Sequence, residues 1–158
     1  MKIAIIGTGG IGAGLASVLA KTAHDVTVSD RKGGTEAAAK LAARGLSVKA
    51  AELRPAVQAA DVVILAVPYG AAAGLAEVAD FVGKIVVDVT NPVKEDFSGL
   101  LVGHSTSAAE EIARALTGAK VVKAFNTVFA QVYDQGLTFG GTPVQTFVAA
   151  DDGDAKAA

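Results

Sequence analysis

The first 34 residues constrain the fold most, because a short apolar run leads directly into a cluster of glycines. In "MKIAIIGTGGIGAGLASVLAK" the β-branched run from Lys2 to Ile6 precedes a Gly-x-Gly-x-x-Gly pattern. Apolar residues then recur at helical spacing from Ile11 to Lys21. Glycines placed between a strand and a helix are typical of the first turn of a dinucleotide-binding βαβ unit. The segment therefore predicts a parallel α/β sheet with a phosphate site at this turn.

The glycines of this turn have separate predicted roles. Gly7 permits the tight turn, Gly9 lets a pyrophosphate approach the backbone, and Gly12 lets the helix pack closely on the sheet. Unpaired N–H groups of the first helical turn then face the phosphates at the positive end of the helix dipole. A simple βα turn would need only one or two glycines. The predicted phosphate loop consists of Gly7, Thr8, Gly9, Gly10, Ile11 and Gly12.

Strand and helix signals alternate along the rest of the chain. Further strands are predicted at 25–29, 46–50, 62–67, 84–89 and 120–124. Helices are predicted at 35–44, 52–59, 71–81 and 107–116, with Ser107 and Glu110 as a capping box. Residues 62–67 are apolar at every position, as in a strand covered by helices on both faces. Repeated βαβ units with right-handed crossovers predict a Rossmann-type, doubly wound parallel sheet in a single domain, 1–158.

The alternation weakens after residue 125. We expect a short helix within 126–136 and a last strand at 143–150. Asp152 or Asp154 is expected to begin one more helix at the C-terminus.

Composition excludes several classes of function. The net charge of -2 leaves no basic face for nucleic acid, and the absence of cysteine removes thiolate nucleophiles and Cys-based metal sites. The longest apolar stretch, 62–67, is far shorter than the ~20 residues of a membrane span. The apolar run at 3–6 is too short for a signal peptide. We therefore expect a cytoplasmic protein with neither nucleic acid nor membrane as a partner.

The residues after the second predicted strand bear on the choice between NAD and NADP. An acid at this position, here Asp30, accepts hydrogen bonds from the ribose hydroxyls of NAD and repels the 2′-phosphate of NADP. Arg31 and Lys32 have the opposite effect, because a guanidinium can bind a phosphate through two hydrogen bonds. Taken with Ser29, these residues by themselves favour NAD or the use of both nucleotides.

Few residues are candidates for acid-base chemistry. His24 and His104 are far apart in sequence and no carboxylate cluster joins them, so a metal site has little support. Hydride transfer between two stacked cofactors needs no protein acid, whereas reduction of a ketone or imine usually does. Two alternatives remain open. One is a reductase of a small metabolite with His104, Lys94 or Lys123 as proton donor, and the other is a nucleotide-binding module without catalysis.

Six segments together resemble the NADP oxidoreductases that depend on the deazaflavin coenzyme F420. They are MKIAIIGTGGIGAGLA, HDVTVSDR, VILAVPY, GKIVVDVTNP, STSAAEEIARAL and VVKAFNTVFA. The resemblance covers about residues 1–152 and is most specific at 90–92 and 123–126. It implies NADP as the nucleotide, a deazaflavin as the second substrate, and a homodimer. Membrane-bound ferric reductases carry a similar domain, but no segment here resembles their membrane part.

This family normally has Ser-Arg after the second strand, where both side chains bind the 2′-phosphate. Arg31 matches, while Asp30 replaces the serine. Following the family, we favour NADP and expect Asp30 either to turn outward or to pair with Arg31.

Ligand-binding residues are also expected beyond the later strands, because doubly wound sheets bind ligands at the carboxyl ends of their strands. The adjacent wall of the crevice is predicted to consist of Ala66, Val67, Pro68 and Tyr69. A shelf for the nicotinamide is predicted at Asn91, Pro92, Phe125 and Asn126, where amides lie beside apolar surface. In the alternative, Asn91-Pro92 is only a turn and Phe125 only part of the core. Family members normally continue beyond the last strand with segments that help enclose the deazaflavin, so the domain is expected to be truncated or short at its C-terminus.

Overall fold

A six-stranded parallel sheet with helices on both faces forms the centre of the protein. The computed structural model describes residues 1–158. The order across the sheet is β3-β2-β1-β4-β5-β6, and every neighbouring pair is parallel. Its strands are β1 (Lys2–Ile6), β2 (Asp25–Ser29), β3 (Lys49–Ala50), β4 (Val62–Leu65), β5 (Ile85–Asp88) and β6 (Lys120–Lys123). The predicted Rossmann-type fold is confirmed.

Seven helices connect and cover the strands. They are α1 (Gly10–Leu19), α2 (Thr35–Ala42), α3 (Leu53–Ala59), α4 (Tyr69–Ala72), α5 (Ala108–Ala115), α6 (Ala130–Asp134) and α7 (Gly153–Ala157). A two-stranded hairpin, β7 (Thr138–Phe139) with β8 (Thr142–Pro143), follows α6. No helix has both the length and the apolar character needed to cross a bilayer.

The central strand β4 explains why the core has two parts. All four of its residues are buried, as their unbroken apolar sequence predicts. Val62 and Ile64 belong to the cluster that also contains residues of α1, α2 and α6. Val63 and Leu65 belong to the cluster on the opposite face, with residues of α3 and α5. The sheet is therefore a buried layer between two helical layers.

The predicted helix at 71–81 is wrong in extent. A single α-helical turn, α4, begins directly after Pro68 and continues as a 3₁₀ turn over Ala73–Glu77. Glycine lowers helix stability, and one lies in each of the two pieces. The chain then turns inward, because Phe81 is buried in the second core cluster.

The predicted strand at 143–150 is also wrong. Pro143 ends the short strand β8, and beyond it only one antiparallel bridge forms, in which Lys123 and Ala149 exchange both backbone hydrogen bonds, at 2.8 and 3.0 Å. Pro143 has no N–H group to contribute to a ladder, and Phe147 is 70% exposed. Other predictions for the C-terminal half are confirmed. Ser107 and Glu110 form the capping box of α5, and the Asp152 side chain accepts a hydrogen bond from the N–H of Ala155 at the start of α7.

Candidate functional site

The predicted site residues all follow the carboxyl ends of parallel strands, and therefore lie along one edge of the sheet. We call this the carboxyl edge. The chain order reverses between β1 and β4, which are neighbours, so a crevice opens there. The contributing segments are 7–12 after β1, 29–32 at the end of β2, 66–69 after β4, 91–92 after β5 and 125–126 after β6.

The phosphate loop, residues 7–12, has the close approaches that its glycines predict. Gly7 adopts φ +102°, and a Cβ there would lie 2.2 Å from the carbonyl oxygen of Ala66. A Cβ on Gly12 would lie 2.0 Å from the carbonyl oxygen of Gly7. Both distances are too short for any side chain. Gly7 therefore serves the turn and the contact with β4, while Gly12 lets α1 pack against the turn.

Gly9 differs from these two glycines, because nothing lies within 4 Å of the place its Cβ would occupy. It is the exposed N-cap of α1 and supplies no side-chain cap. The N–H groups of Gly9, Gly10 and Ile11 donate to no protein acceptor. An open surface with several unpaired donors at a helix N-terminus suits a bound anion.

Asp30 is held by the loop and by its own turn, contrary to both predicted orientations. Its Oδ2 accepts a hydrogen bond from Thr8 Oγ1 at 2.6 Å. Its Oδ1 accepts from the backbone N–H groups of Lys32 and Gly34, at 2.8 and 2.9 Å. The bond from Thr8 contributes most, and those from Gly34 and Lys32 add to it, so that the pKa of Asp30 is lowered below its ordinary value of 3.8. The carboxylate therefore stays ionised near neutral pH and is not paired with Arg31.

The neighbours of Asp30 have unequal access to the crevice. Ser29 is completely buried and its hydroxyl has no partner, while its carbonyl oxygen accepts a hydrogen bond from the N–H of Gly7 at 2.8 Å. Arg31 and Lys32 are exposed, and neither forms an ion pair with a protein carboxylate. Arg31 and Lys32, which have no ion-pair partner, therefore lie beside the Asp30 carboxylate, which already accepts three hydrogen bonds from the protein.

The segment after β4 adds a partly buried wall. Ala66, Val67 and Tyr69 are half-buried and Pro68 is exposed. The Tyr69 hydroxyl donates to the carboxylate of Glu111 on α5. That bond is the chief reason why the pKa of Tyr69 is raised, so the hydroxyl stays protonated. The wall is thus tied to the helix that covers the far half of the sheet.

Asn91 and Asn126 bind each other across the ends of β5 and β6. Asn91 Nδ2 donates to the carbonyl oxygen of Asn126 at 2.9 Å, and Asn126 Nδ2 donates to Asn91 Oδ1 at 3.3 Å. We call these residues the amide pair. Phe125, just before Asn126, adopts φ +60° and packs partly against the core. This left-handed conformation is strained for a bulky residue, and such strain often marks a functional site.

A buried ion pair beneath the amide pair is absent from the sequence prediction. Lys123 Nζ lies 2.9 Å from Oδ2 of Asp88, which has no exposed surface. The ammonium also donates to the carbonyl oxygen of Thr90, while Asp88 Oδ1 accepts from the Thr90 N–H at 2.8 Å. A lone acid at the end of the apolar strand "IVVD" was the available signal, because a buried charge requires a partner.

A cavity of about 750 Å³ opens beside the amide pair. Asn91, Asn126 and Lys123 contribute to its lining. The lining also includes the ion pair between Lys120 and Asp152, 3.0 Å apart. Its volume is within the range of small-molecule sites.

The histidines take no part in these arrangements. His24 lies 3.5 Å from the N-terminal amine, near the start of β2 and therefore at the opposite edge of the sheet. His104 is exposed in the loop between β5 and α5. No group of three or more His, Cys, Asp or Glu side chains is placed to hold a metal ion.

Comparisons with known proteins point to one family. Residues 2–92 match the family model described as NADP oxidoreductase, coenzyme F420-dependent. The chain is 37% identical to the F420-dependent NADP reductase of Methanocaldococcus jannaschii, over 81% of this chain and 64% of that protein. It is 30% identical to the metalloreductase STEAP3 of Rattus norvegicus, over 98% of this chain and 30% of that protein.

The fold also matches solved structures. The crystal structure of the hypothetical protein SMa0349 from Sinorhizobium meliloti superposes with a TM-score of 0.83 at 36% identity. That match covers 98% of this chain and 76% of the other. The chain thus spans less than two thirds of the length of the two curated relatives, although it spans most of the solved neighbour.

Proposed function

The chain belongs to the family of F420-dependent NADP oxidoreductases, and on that premise we propose that it transfers a hydride between NADP(H) and a deazaflavin of the coenzyme F420 type. The nicotinamide and the deazaflavin carry the redox chemistry. The protein's residues bind both, orient them face to face and keep water out.

The observation that carries this proposal is the set of unpaired N–H groups on the phosphate loop. Gly9, Gly10 and Ile11 present donors without protein acceptors at the N-terminus of α1, over open surface. A pyrophosphate supplies the acceptors and the negative charge that such a site favours. Gly7 and Gly12 hold this backbone in place, because neither position has room for a side chain.

NADP is the proposed nucleotide, with Arg31 and Lys32 on its 2′-phosphate. Both side chains are exposed and without an ion-pair partner at the end of β2, where the adenosine ribose lies in this fold. The charge of Asp30 opposes a phosphate. Three protein donors already bind that carboxylate, so the two free cations outweigh it. NAD remains a weaker alternative ligand.

The amide pair is the proposed shelf for the nicotinamide. Its carboxamide needs hydrogen-bond partners while its ring needs apolar contact, and Asn91 and Asn126 lie next to Phe125 and Pro92. The cavity beside the pair is the proposed place for the second flat ring. No acid-base pair of side chains is needed for this reaction.

The remaining assignments follow the family. We propose a homodimer in which a second subunit helps to complete the acceptor site. The location of the protein in the cytoplasm is still a prediction from its sequence.

Nucleotide binding tests the first half of the proposal. Dissociation constants of NADP⁺ and NAD⁺ are measured for the wild type, Arg31→Ala and Asp30→Ser. Removing Arg31 should weaken NADP⁺ by ~1.5–3 kcal/mol, the range for a hydrogen bond to a charged group, and leave NAD⁺ nearly unchanged. A wild type that prefers NAD⁺, with NADP⁺ accepted only by Asp30→Ser, would overturn the choice of nucleotide.

Deazaflavin turnover tests the second half. NADPH is mixed with coenzyme F420, and bleaching of the deazaflavin absorbance is followed for this chain and for one extended by a C-terminal segment of a relative. Activity that Asn91→Ala abolishes would support the shelf. Intact nucleotide binding without turnover in either form would favour a small-metabolite reductase or a binding module instead.

A further inference from the structure

The ion pair of Asp88 and Lys123 differs from every other ion pair of the protein in its burial. Asp88 has no exposed side-chain surface and Lys123 has 22%, whereas each partner of the other four pairs is at least 35% exposed. Removing two charges from water costs free energy that their attraction often fails to recover. Stability alone therefore does not account for this pair, and its position suggests another role.

The ion pair of Asp88 and Lys123 binds both the backbone N–H and the backbone carbonyl group of Thr90. Asp88 Oδ1 accepts from the N–H of Thr90, and Lys123 Nζ donates to the Thr90 carbonyl oxygen. Thr90 immediately precedes Asn91. The pair thus fixes the backbone that carries the first member of the amide pair.

The same lysine also precedes the second member of the amide pair on the chain. The backbone N–H of Lys123 donates to the carbonyl oxygen of Ala149 at 2.8 Å, and the Lys123 carbonyl oxygen accepts from the N–H of Ala149 at 3.0 Å. Three residues later comes Asn126, after the strained Phe125 at φ +60°. The ends of β5 and β6 are therefore joined twice, once by the buried ion pair and once by the two amide hydrogen bonds.

We propose that Lys123, together with Asp88, is a positioning residue that holds the amide pair in the geometry needed to bind the nicotinamide. We call Asp88 and Lys123 together the brace. The identity of the ligand in this inference rests on the proposed function, whereas the effect of the brace on the amide pair does not. Two of the three N–H groups of the Lys123 ammonium are directed at Asp88 and Thr90, as a positioning role requires.

The test uses the double variant Lys123→Met/Asp88→Asn, which removes both charges and leaves no buried charge unpaired. Lys49→Met is the matched control, because it breaks an exposed ion pair with Asp25 at the other end of the sheet. Folding is checked by circular dichroism. The Nδ2–H₂ NMR signals of Asn91 and Asn126 are recorded without ligand, and affinities are measured for NADP⁺ and for adenosine 2′,5′-bisphosphate, which lacks the nicotinamide.

The brace predicts a selective effect. In the double variant the amide signals should shift toward those of free asparagine, and NADP⁺ should weaken by about fivefold, roughly the loss of one hydrogen bond. Adenosine 2′,5′-bisphosphate should bind as in the wild type, and Lys49→Met should change nothing.

Two results would overturn the proposal. One is unchanged amide signals in the double variant, and the other is equal weakening of both ligands, which would indicate general destabilisation. A wild type that binds adenosine 2′,5′-bisphosphate as tightly as NADP⁺ would instead contradict the nicotinamide shelf. The NMR signals of Asn91 and Asn126 would then be the only test of whether Asp88 and Lys123 hold the amide pair.

Discussion

The two halves of the carboxyl edge present polar groups in opposite states. The phosphate loop beside β1 offers backbone N–H groups without partners, on a surface where Gly9 leaves open space. At the ends of β5 and β6 the polar groups are side chains, and most are already bound to one another. The donors of the first half have no protein acceptor and are open to water or to a ligand. The side chains of the second half are preformed by bonds within the protein, and only the buried hydroxyl of Thr90 has no partner there.

This difference separates affinity from orientation. Unpaired donors at a helix N-terminus gain several charge-assisted hydrogen bonds when an anion binds, so under the proposed function the loop supplies binding free energy. A satisfied amide pair gains less on binding, but its geometry is fixed in advance, which favours correct placement of a reacting ring. Substitutions in the two halves should therefore have different consequences.

The largest expected effect is on folding, from a side chain at Gly12. A Cβ there would lie 2.0 Å from the carbonyl oxygen of Gly7, which is rigid backbone, so Gly12→Val must displace α1 or the turn. We expect a loss of at least ~3 kcal/mol in the free energy of unfolding, the upper range for overpacking. Urea denaturation without ligand measures it. A loss below ~1 kcal/mol would show that the loop can relax, contrary to the rigid turn described here.

The next effect is on binding alone, from Gly9→Val. Nothing lies within 4 Å of a Cβ at Gly9, so the fold should tolerate valine, whose methyl groups would occupy the place proposed for the phosphates. NADP⁺ affinity should fall by about 100-fold, or ~2.7 kcal/mol, as measured by calorimetry. Gly74→Val, also in open space but in the 3₁₀ turn, is the control. Equal NADP⁺ affinity of the wild type and Gly9→Val would contradict the idea that the loop contributes affinity while the amide pair contributes orientation.

The amide pair should show an asymmetry between its two members. Asn91→Ala removes both hydrogen bonds of the pair, while Asn126→Ala removes only the longer one, since its backbone carbonyl remains. We expect about 1 kcal/mol of destabilisation for the first and about half of that for the second, from the usual net value of a hydrogen bond. Urea denaturation of both single variants and of the double variant gives the coupling free energy between the two asparagine side chains. A larger cost for Asn126→Ala would contradict the assigned donors.

The smallest effect is a pH dependence confined to the first half. The pKa of Asp30 is lowered from 3.8, so its charge is constant above pH 5. A 2′-phosphate gains its second negative charge near pH 6. Because the local side-chain charge is positive, NADP⁺ affinity should rise by about two- to fivefold from pH 5 to 7, as for exposed charge pairs. NAD⁺ affinity should stay level, and a falling NADP⁺ affinity would show that Asp30 dominates.

Sequence patterns predicted the backbone turn between β1 and α1 well, because its geometry follows from residue type. Only glycine fits at Gly7 and Gly12, and their spacing between a strand and a helix therefore specifies the turn. The unbroken apolar run of β4 likewise predicted a strand buried on both faces. The predicted strand at 143–150 failed because pairing depends on which edge is available, and only Ala149 reaches β6.

The sequence by itself determined the Rossmann order of elements and the position of the glycine turn between β1 and α1, since periodicity and glycine spacing act over short stretches of chain. The tertiary structure alone decided what the polar side chains bind. Asp30 lies 22 residues from Thr8, Lys123 35 residues from Asp88, and Asn126 35 residues from Asn91. No local pattern encodes such partners, because a side-chain hydrogen bond depends on strand order and on distances of a few ångströms across the folded sheet.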